Sequence, residues 1–316
     1  MKKIDKIIAI QGDPLHLINR KTDTTLLLAL EGQRRNYKIY YYQTKNLIFS
    51  NNKVFAFSKE VEFDESKKKF YKIKNTKKLD LSNARFILMR QNPPFNMDYI
   101  TATFLLEKIS NTTKILNDPV AVRNIPEKLC SMSFTKFMPP TLFTKEIKEI
   151  EKFKKKYKKI VIKPTHGFGG NNIFFVNNRT SRSKILKYLN KNDHVMVQKF
   201  LPQIKHGDKR IFIIDGKVKG AIKRVPKKDS FVSNLGQGGR AIKTTLNKKE
   251  MIVAQNVANY LKKNNILFAG IDLISNYLIG DINVTSPTGL KNFKDLSGID
   301  LSVDIWNCLE KYKANN

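Results

Sequence analysis

Residues 268–284 read FAGIDLISNYLIGDINV and predict the last hairpin of the chain. A strand over Phe268–Ile274 and another over Leu278–Val284 are rich in isoleucine and leucine and are separated by a short polar segment. A tight turn at Asn276-Tyr277 would pair the two strands antiparallel and bring their middle residues side by side. The polar residues inside these two strands are therefore candidates for a functional site.

Two aspartates face each other in this predicted register. Asp272 would oppose Asp281 with about 5 Å between their Cβ atoms, and Asn283 would share their face because side chains alternate along a strand. The apolar neighbours point the other way, into a core: Ile271, Leu273, Ile282 and Val284. Facing carboxylates repel unless a cation lies between them, and such oxygen ligands suit Mg²⁺ held together with phosphates. The alternative is a solvated polar face of the sheet.

A glycine-rich segment follows the predicted strand Lys159–Lys163. Gly167, Gly169 and Gly170 would let backbone N–H groups approach phosphate oxygens, while Lys163 supplies positive charge at the strand end. The segment has neither the Gly-Lys-Ser/Thr of a Walker A loop nor the helix that follows a dinucleotide-binding loop. It predicts either a phosphate-covering loop or an ordinary hairpin turn before the strand Ile173–Val176.

Further charged residues lie near these two segments in the predicted fold. Asn124–Lys128 predicts a helix start that carries a second lysine. Arg210 begins the predicted strand Lys209–Ile214 and can clamp a carboxylate or a phosphate with two donors of its guanidinium. A surface ion pair between Arg210 and Asp208 is the alternative.

The loop Ser230–Arg240 contains Gly236, Gly238 and Gly239. Such a loop suits a lid that closes over a substrate and excludes water. The alternative is a disordered hairpin tip.

The first part of the chain alternates strands and helices. Strands are predicted over Ile4–Ile10, Tyr37–Tyr42, Ala84–Met89 and Lys114–Leu116, and helices over residues 26–35, capped by Thr22 or Asp23, and over Tyr99–Ile109. This order predicts an open α/β sheet with ligand groups at the carboxyl ends of its strands. The pattern changes near Arg123.

Composition narrows the class of protein. The 316 residues, 41% of them hydrophobic, suffice for two or three folded domains and exclude wholesale disorder. The apolar runs are too short for a membrane span or a signal peptide, and two cysteines give no disulfide framework, so we expect a cytoplasmic protein. The net charge of +32 raises nucleic acid as a partner, but lysine spread over the whole chain indicates solvated faces rather than a recognition motif.

Taken in chain order, these segments resemble the prokaryotic glutathione synthetase family of ATP-grasp ligases. The resemblance covers nearly the whole chain, from Gly12-Asp13-Pro14 to Thr288. It rests on LMR with PPF at 88–95, the Lys163-Pro164 loop, GDKR at 207–210, GQGGR at 236–240 and DINVTSPT at 281–288. It implies an α/β (α+β) fold with an N-terminal α/β domain over 1–122, a central ATP-grasp lobe over 123–200 and a C-terminal lobe over 201–316.

The resemblance also implies residue roles. ATP is expected at Lys128, Lys163, Gly167, Gly169, Gly170, Gln198, Lys199, Phe200, Leu201 and Asp208. Divalent metal ions, Mg²⁺ or Mn²⁺, are expected at Asp272, Asp281 and Asn283. The peptide and the transferred group are expected at Asp13, Asn19, Arg90, Arg210, Arg224, Ser286 and Thr288, and catalytic roles fall to Lys163, Arg210 and Gly239.

The activity that the resemblance implies is ATP-dependent joining of γ-glutamylcysteine and glycine through an acyl phosphate, giving glutathione, ADP and phosphate. A homo-oligomer with small-molecule partners, no specific nucleic acid and no membrane is expected. One departure is Asp281, which stands where this family usually has a glutamate. The alternative is another ATP-grasp ligase that joins other amino acids or adds glutamates to a protein tail, because the phosphate and metal residues do not separate these activities.

Overall fold

The computed structural model describes residues 6–228 and 230–311. Residues 4 and 5 of the predicted first strand lie outside these ranges. The strands are β1 Ile7–Gln11, β2 Lys38–Tyr42, β3 Leu47–Ser50, β4 Lys53–Phe63, β5 Tyr71–Asp80, β6 Phe86–Met89, β7 Lys114–Leu116, β8 Thr141–Thr144, β9 Ile160–Pro164, β10 Phe174–Val176, β11 Val195–Lys199, β12 Asp208–Ile214, β13 Lys217–Val225, β14 Arg240–Lys243, β15 Phe268–Ile274 and β16 Tyr277–Asn283.

The helices are α1 Thr24–Arg34, α2 Met97–Glu107, α3 Pro119–Asn124, α4 Ile147–Tyr157, α5 Arg182–Leu189, α6 Lys248–Lys263, α7 Leu290–Ser297 and α8 Leu301–Lys311. Within the two described ranges, none of them is long and apolar enough to cross a membrane.

The N-terminal sheet has the strand order β3-β4-β2-β1-β6-β7, with β5 paired to β4. Strand β1 is at its centre and runs parallel to β2 and β6, as the alternation of strands and helices predicts. The predicted cap of α1 is confirmed, because the Asp23 side chain accepts a hydrogen bond from the backbone N–H of Leu26 at 2.8 Å. The carboxyl ends of the parallel strands therefore meet at one edge of the sheet.

Strands β3 to β5 were not predicted from the sequence. Strand β5 is exposed along most of its length, so its sequence YKIKNTKKLD lacks the apolar alternation that reveals a half-buried strand. It pairs with β4 through an irregular antiparallel ladder at the margin of the sheet. Lysines on such an exposed strand discourage pairing with another chain.

Two antiparallel sheets form the rest of the fold. The central one has the order β10-β9-β11-β8, and the C-terminal one has the order β14-β13-β12-β15-β16. Ile150 of α4 and Ile185 of α5 pack with the central sheet in one buried cluster. The amphipathic α6 covers the C-terminal sheet with residues that include Val257 and Leu261, both fully buried.

The predicted register of the last hairpin is wrong at its turn. The turn residues are Ser275 and Asn276, because Ile274 pairs with Tyr277. Ser275 accordingly has a positive φ of 56°. The register then shifts, so that Ile271 pairs with Ile282 as expected but Asp272 does not lie directly opposite Asp281. Such a bulge bends the strand and re-aims its side chains.

Buried contacts join the first and last parts of the chain. Trp306 of α8 is fully buried and donates a hydrogen bond from its indole nitrogen to the carbonyl oxygen of Leu28 in α1 at 2.9 Å. Asn117, which follows β7, donates through Nδ2 to the carbonyl oxygens of Phe268 and Val284, each at 2.7 Å. Its Oδ1 accepts from the N–H groups of Leu267 and Phe268 at 3.0 and 2.9 Å. One side chain thus saturates four backbone groups of the C-terminal sheet.

Replacing Asn117 with alanine will destabilise the protein by about 3 kcal/mol or more, because buried backbone groups lose their partners without access to water. Urea unfolding followed by circular dichroism measures the change. Asn111→Ala is the matched control, since Asn111 is exposed, and it will change the free energy of unfolding by no more than about 0.5 kcal/mol. Equal stability of the two variants would contradict the role assigned to Asn117.

Candidate active site

A cleft of about 650 Å³ opens between the N-terminal sheet, the glycine-rich loop and the C-terminal sheet. Most of the site residues expected from the sequence line it: Asn19, Lys128, Lys163, Gly167, Gly169, Gly170, Gln198, Lys199, Phe200, Leu201, Asp208, Arg210, Arg224, Asp272, Asp281, Asn283, Ser286 and Thr288. Asp13, Arg90 and Gly239 are not among the lining residues. Segments far apart in the chain therefore converge on one space of the size of a nucleotide site.

Two lysines converge on one carboxylate inside this cleft. Lys128 and Lys163 are 4% and 6% exposed, and their Nζ atoms lie 3.5 and 3.7 Å from the two carboxylate oxygens of Asp281. Burial lowers the pKa of Lys163, although Asp281 opposes this effect. Buried lysines are rare unless they are paired, and here two positive charges share one negative charge. The excess charge makes this point of the cleft attractive to an anion.

Backbone oxygens hold the same two ammonium groups. Lys128 donates to the carbonyl oxygen of Gly167, and Lys163 donates to that of Ile279 at 2.9 Å. Lys128 does not begin a helix as predicted, because α3 ends at Asn124 and the following 3₁₀ segment begins at Cys130. It lies in the connection between them, which brings it against the glycine-rich loop.

Two arginines and two aspartates form a buried network beside the lysines. The register places Arg210 opposite Asp272 and Asp208 opposite Arg224 on neighbouring strands. Arg210 holds Asp272 with two hydrogen bonds of 2.5 and 2.9 Å, and Arg224 holds Asp208 in the same bidentate way. The same Nη2 of Arg224 that donates to Asp208 also lies 2.7 Å from Oδ2 of Asp272. The alternative of a surface pair between Arg210 and Asp208 is therefore wrong.

Asp272 is held as a carboxylate by this network. Burial alone would raise its pKa, but the two guanidinium groups outweigh burial and lower the pKa to about 2. Its two oxygens already accept hydrogen bonds from Arg210 and are shared with Arg224. Its expected part in metal binding stays a prediction.

Asp281 and Asn283 are better placed than Asp272 to bind a divalent cation. Asp281 is about a quarter exposed toward the cleft, and Asn283 lines the same wall. Among residues 6–228 and 230–311, no three His, Cys, Asp or Glu side chains gather into a metal cluster. Mg²⁺ does not need one, because it is usually held by one or two carboxylates together with substrate phosphates and water. The donor set of Asp281 and Asn283 suits that mode.

The predicted lid contacts the glycine-rich loop. The side-chain amide of Gln237 donates to the carbonyl oxygen of Gly169 at 2.9 Å and to Oδ1 of Asn171 at 2.8 Å. Gly170 has a φ of 76°, and a Cβ there would lie 2.6 Å from a methyl group of Val232. This position therefore requires glycine. The N–H of Gly239 donates to the carbonyl oxygen of Asn234 within the lid.

Strand β11 ends at Lys199 and leads into residues 199–201, called the hinge below, which apolar side chains surround. The N–H of Lys199 donates to the carbonyl oxygen of Pro140, and the N–H of Phe200 to that of Lys159, both at 3.0 Å. Pro140 lies opposite Lys199 and has no N–H to return, so β8 cannot occupy the carbonyl oxygen of Lys199. Apolar side chains surround this end of the cleft: Phe200, Leu201, Ile204, Phe231, Ile274 and Ile279.

In this structure the side chains of Arg90 and Asp13 form hydrogen bonds with other protein groups. Arg90 is 4% exposed and donates to the carbonyl oxygen of Pro287 at 2.9 Å and to Oγ1 of Thr25 at 3.2 Å. Burial lowers its pKa to about 10. The carboxylate of Asp13 accepts from the N–H of Asn92 at 3.3 Å. Their expected roles in substrate binding stay predictions.

Sequence reasoning missed Glu127 as a member of the site. Its side chain lines the cleft, and its buried Oε1 has no hydrogen-bond partner in the described part of the chain. Burial raises its pKa to about 7, although the neighbouring Lys128 opposes the shift. A glutamate beside a lysine in a predicted first helical turn looks like a solvated pair, and the sequence offers no signal against that interpretation.

Comparison with known proteins decides the family. Residues 7–123 match the prokaryotic glutathione synthetase N-terminal domain, and residues 127–298 match the prokaryotic glutathione synthetase ATP-grasp domain. The chain belongs to the prokaryotic glutathione synthetase family. It is 37% identical over 310 residues to a glutathione synthetase of Rhodopseudomonas palustris, covering 97% of this chain and 99% of that protein. It is 38% identical to one of Buchnera aphidicola, covering 96% and 95%.

A solved structure agrees on the fold. The ATP-grasp ligase PsnB, in a complex with a precursor variant, Mg and ADP, superposes with a TM-score of 0.62 at 16% identity, covering 97% of this chain and 98% of that one. At this identity the likeness concerns the fold alone. The expected α/β architecture with an ATP-grasp domain is thereby confirmed.

Replacing Glu127 with glutamine will stabilise the ligand-free protein at high pH. A carboxyl whose pKa rises from 4.5 to about 7 on folding destabilises the fold once it ionises, so its cost is absent at low pH, grows as the pH passes from about 4.5 to 7, and is constant above. We expect a gain on the order of 2–3 kcal/mol at pH 8 that shrinks toward pH 5, measured by urea unfolding in EDTA.

The control for this measurement is Glu149→Gln, at an exposed glutamate of α4. Its stability difference will stay within about 0.5 kcal/mol at both pH values. A gain at Glu127 that is the same at pH 5 and pH 8 would show that the carboxyl group does not titrate as described.

Proposed function

We propose that this chain is a glutathione synthase, which uses ATP to join γ-glutamylcysteine and glycine and releases ADP and phosphate. The family membership supports the reaction class, and the relatives named above are glutathione synthetases. The observation that carries the proposal is the convergence of Lys128 and Lys163 on Asp281 at the base of a buried cleft. That arrangement concentrates positive charge where a triphosphate and its metal would lie.

The hinge after β11 suits adenine. The free carbonyl oxygen of Lys199 can accept from the amino group of adenine, and the N–H of Leu201 can donate to the adjacent ring nitrogen. Guanine would present an acceptor to the carbonyl and a donor to the N–H, so it would fit poorly. Phe200 and the apolar residues around it would cover the ring, with Asp208 on the side of the ribose.

The phosphates would lie between the glycine-rich loop and the lysines. Backbone N–H groups near Gly169 and Gly170 would contact phosphate oxygens, and Lys128 and Lys163 would offset the charge of the transferring phosphoryl group. Asp281 and Asn283 would hold the Mg²⁺ or Mn²⁺, with Asp272 as the further expected ligand. The metal supplies charge neutralisation at the phosphates when it is bound.

The ligation would proceed in two steps. The terminal phosphoryl group passes to the cysteinyl carboxylate, and the amine of glycine then displaces phosphate from the acyl phosphate. Asp272 orients Arg210, whose buried Nη1 has no partner in the described residues and can donate to the tetrahedral oxyanion. Water would hydrolyse the acyl phosphate, and the Gln237 contact holds the lid against the glycine-rich loop so that water is excluded.

The peptide would extend from the phosphates toward the N-terminal domain. Asn19, Ser286 and Thr288 line that part of the cleft, and Arg224 stands beside it. Asp13, Arg90 and Gly239 are assigned by resemblance to the family. We also propose the division at residues 122 and 200, a homo-oligomeric assembly and a cytoplasmic location.

The test of this function is release of ADP by the purified protein with ATP and Mg²⁺. We expect release that requires both γ-glutamylcysteine and glycine, with one phosphate formed for each glutathione. Release that depends on quite different amino acids, or on neither substrate, would overturn the assignment. GTP in place of ATP will support little turnover if the carbonyl oxygen of Lys199 and the N–H of Leu201 bind the base as described.

Replacing Asp281 with alanine will lower kcat by at least about 100-fold, because the lysines lose their shared carboxylate and the metal loses a ligand. The same coupled assay at saturating Mg²⁺ measures it, and circular dichroism will show that the fold is intact. Asp295→Ala, at an exposed residue of α7, is the control and will keep wild-type turnover. Unchanged kcat in the Asp281 variant would remove the metal and phosphate assignment.

A further inference from the structure

The acceptor substrate of the proposed reaction creates an electrostatic requirement. An amino acid enters the cleft as an ammonium ion, yet the cleft is lined by buried lysines and arginines. A carboxylate must therefore receive the ammonium group and then its proton, since only the neutral amine can attack an acyl phosphate. Among residues 6–228 and 230–311, five carboxyl side chains line the cleft: Asp23, Glu127, Asp208, Asp272 and Asp281.

Four of these five carboxylates have other partners. Asp23 caps helix α1 through the N–H of Leu26. Asp208 and Asp272 are held by the two arginines of the buried network. Asp281 lies within 3.7 Å of both lysine Nζ atoms, at the expected phosphate site. None of the four is free to receive an ammonium group without breaking an interaction that the site already uses.

Glu127 is the remaining carboxyl group among the cleft-lining residues that the structure describes. Its Oε1 is buried and accepts no hydrogen bond from the described residues. An unpartnered buried oxygen is unfavourable in the ligand-free protein, and a donor from a ligand would relieve that cost. The pKa near 7 described above suits a group that takes up a proton at neutral pH.

Glu127 lies where the main cleft meets a small second cavity. That cavity has a volume of about 20 Å³, shares Pro93, Glu127, Gly167 and Phe168 with the main cleft, and is also lined by Thr165 and His166. Such a volume holds one water molecule or a methylene group, but not a branched side chain. A ligand group that enters this second cavity beside Glu127 must therefore be slender.

We propose that Glu127 anchors the ammonium group of the acceptor amino acid and accepts its proton during ligation, and that the cramped cavity favours an acceptor without a side chain. This inference rests on the proposed function. In the step, the ammonium group first passes one proton to Glu127, and the freed nitrogen lone pair forms a bond to the carbonyl carbon of the acyl phosphate. The bond from that carbon to the phosphate oxygen then breaks, and the second proton on nitrogen leaves with the departing phosphate.

The test separates the two half-reactions with hydroxylamine. Hydroxylamine is largely uncharged at neutral pH, so it can trap the acyl phosphate as a hydroxamate without a carboxylate to bind or deprotonate it. In Glu127→Gln we expect kcat/KM for glycine to fall by about 100-fold or more, while hydroxamate formation from ATP and γ-glutamylcysteine stays within about threefold of wild type. Glu149→Gln, on the exposed face of α4, is the control and will change neither rate.

Equal loss of the glycine and hydroxylamine reactions in Glu127→Gln would overturn the inference, because Glu127 would then act in phosphoryl transfer. Wild-type use of glycine by this variant would overturn it as well. If the glutamine variant does not fold, Glu127→Asp will show the same selective loss of the glycine reaction in smaller degree. A wild-type protein that forms no hydroxamate from γ-glutamylcysteine would instead refute the proposed function.

Discussion

The structure depends on two ammonium groups kept out of water around a single carboxylate. Lys128 and Lys163 come from different parts of the chain, and each is fixed by a backbone carbonyl oxygen as well as by Asp281. Desolvating two positive charges is unfavourable when, among the described residues, one carboxylate alone lies within ion-pair distance of both. The arrangement becomes favourable when an anion completes it. On the proposed function a polyphosphate would be that anion, and the glycine-rich loop lines the same cleft.

The two buried arginines differ from the lysines because carboxylates in the same cleft balance their charge. Arg210 and Arg224 bring two positive charges, and Asp208 and Asp272 balance them, so that the network is neutral as a whole. Because each main pair lies directly across neighbouring strands, the sheet register itself fixes the guanidinium groups. In the proposed reaction this rigidity would keep Arg210 in place to act on a transient charge rather than on the triphosphate. On the proposed function, the excess charge at the lysines would mark the phosphate end of the cleft, and the neutral network would mark the acyl-transfer end.

The sequence predicts the parts of this fold that have a local signal. Strand β15 was predicted with the residue limits that the structure shows, because it is a short apolar run that ends at the polar residues Ser275 and Asn276. Strand β5 has no such periodicity and was missed. The partners of Arg210 and Arg224 were also beyond prediction, since they depend on how β12, β13 and β15 pair. Glu127 became a site residue only once the connection that carries it folded against the cleft.

The last hairpin shows how a local irregularity shapes the site. Between Ile271 and Leu273 the register shifts, so residues 279–281 of β16 bulge opposite Asp272. Gly280 takes a φ of 90° there, and a Cβ would lie 2.8 Å from the terminal methyl group of Met196, so both conformation and space require glycine. The bulge lets the carbonyl oxygen of Ile279 meet Lys163 while the next side chain, Asp281, reaches both lysines. Backbone curvature therefore brings the short side chain of Asp281 within range of both lysines.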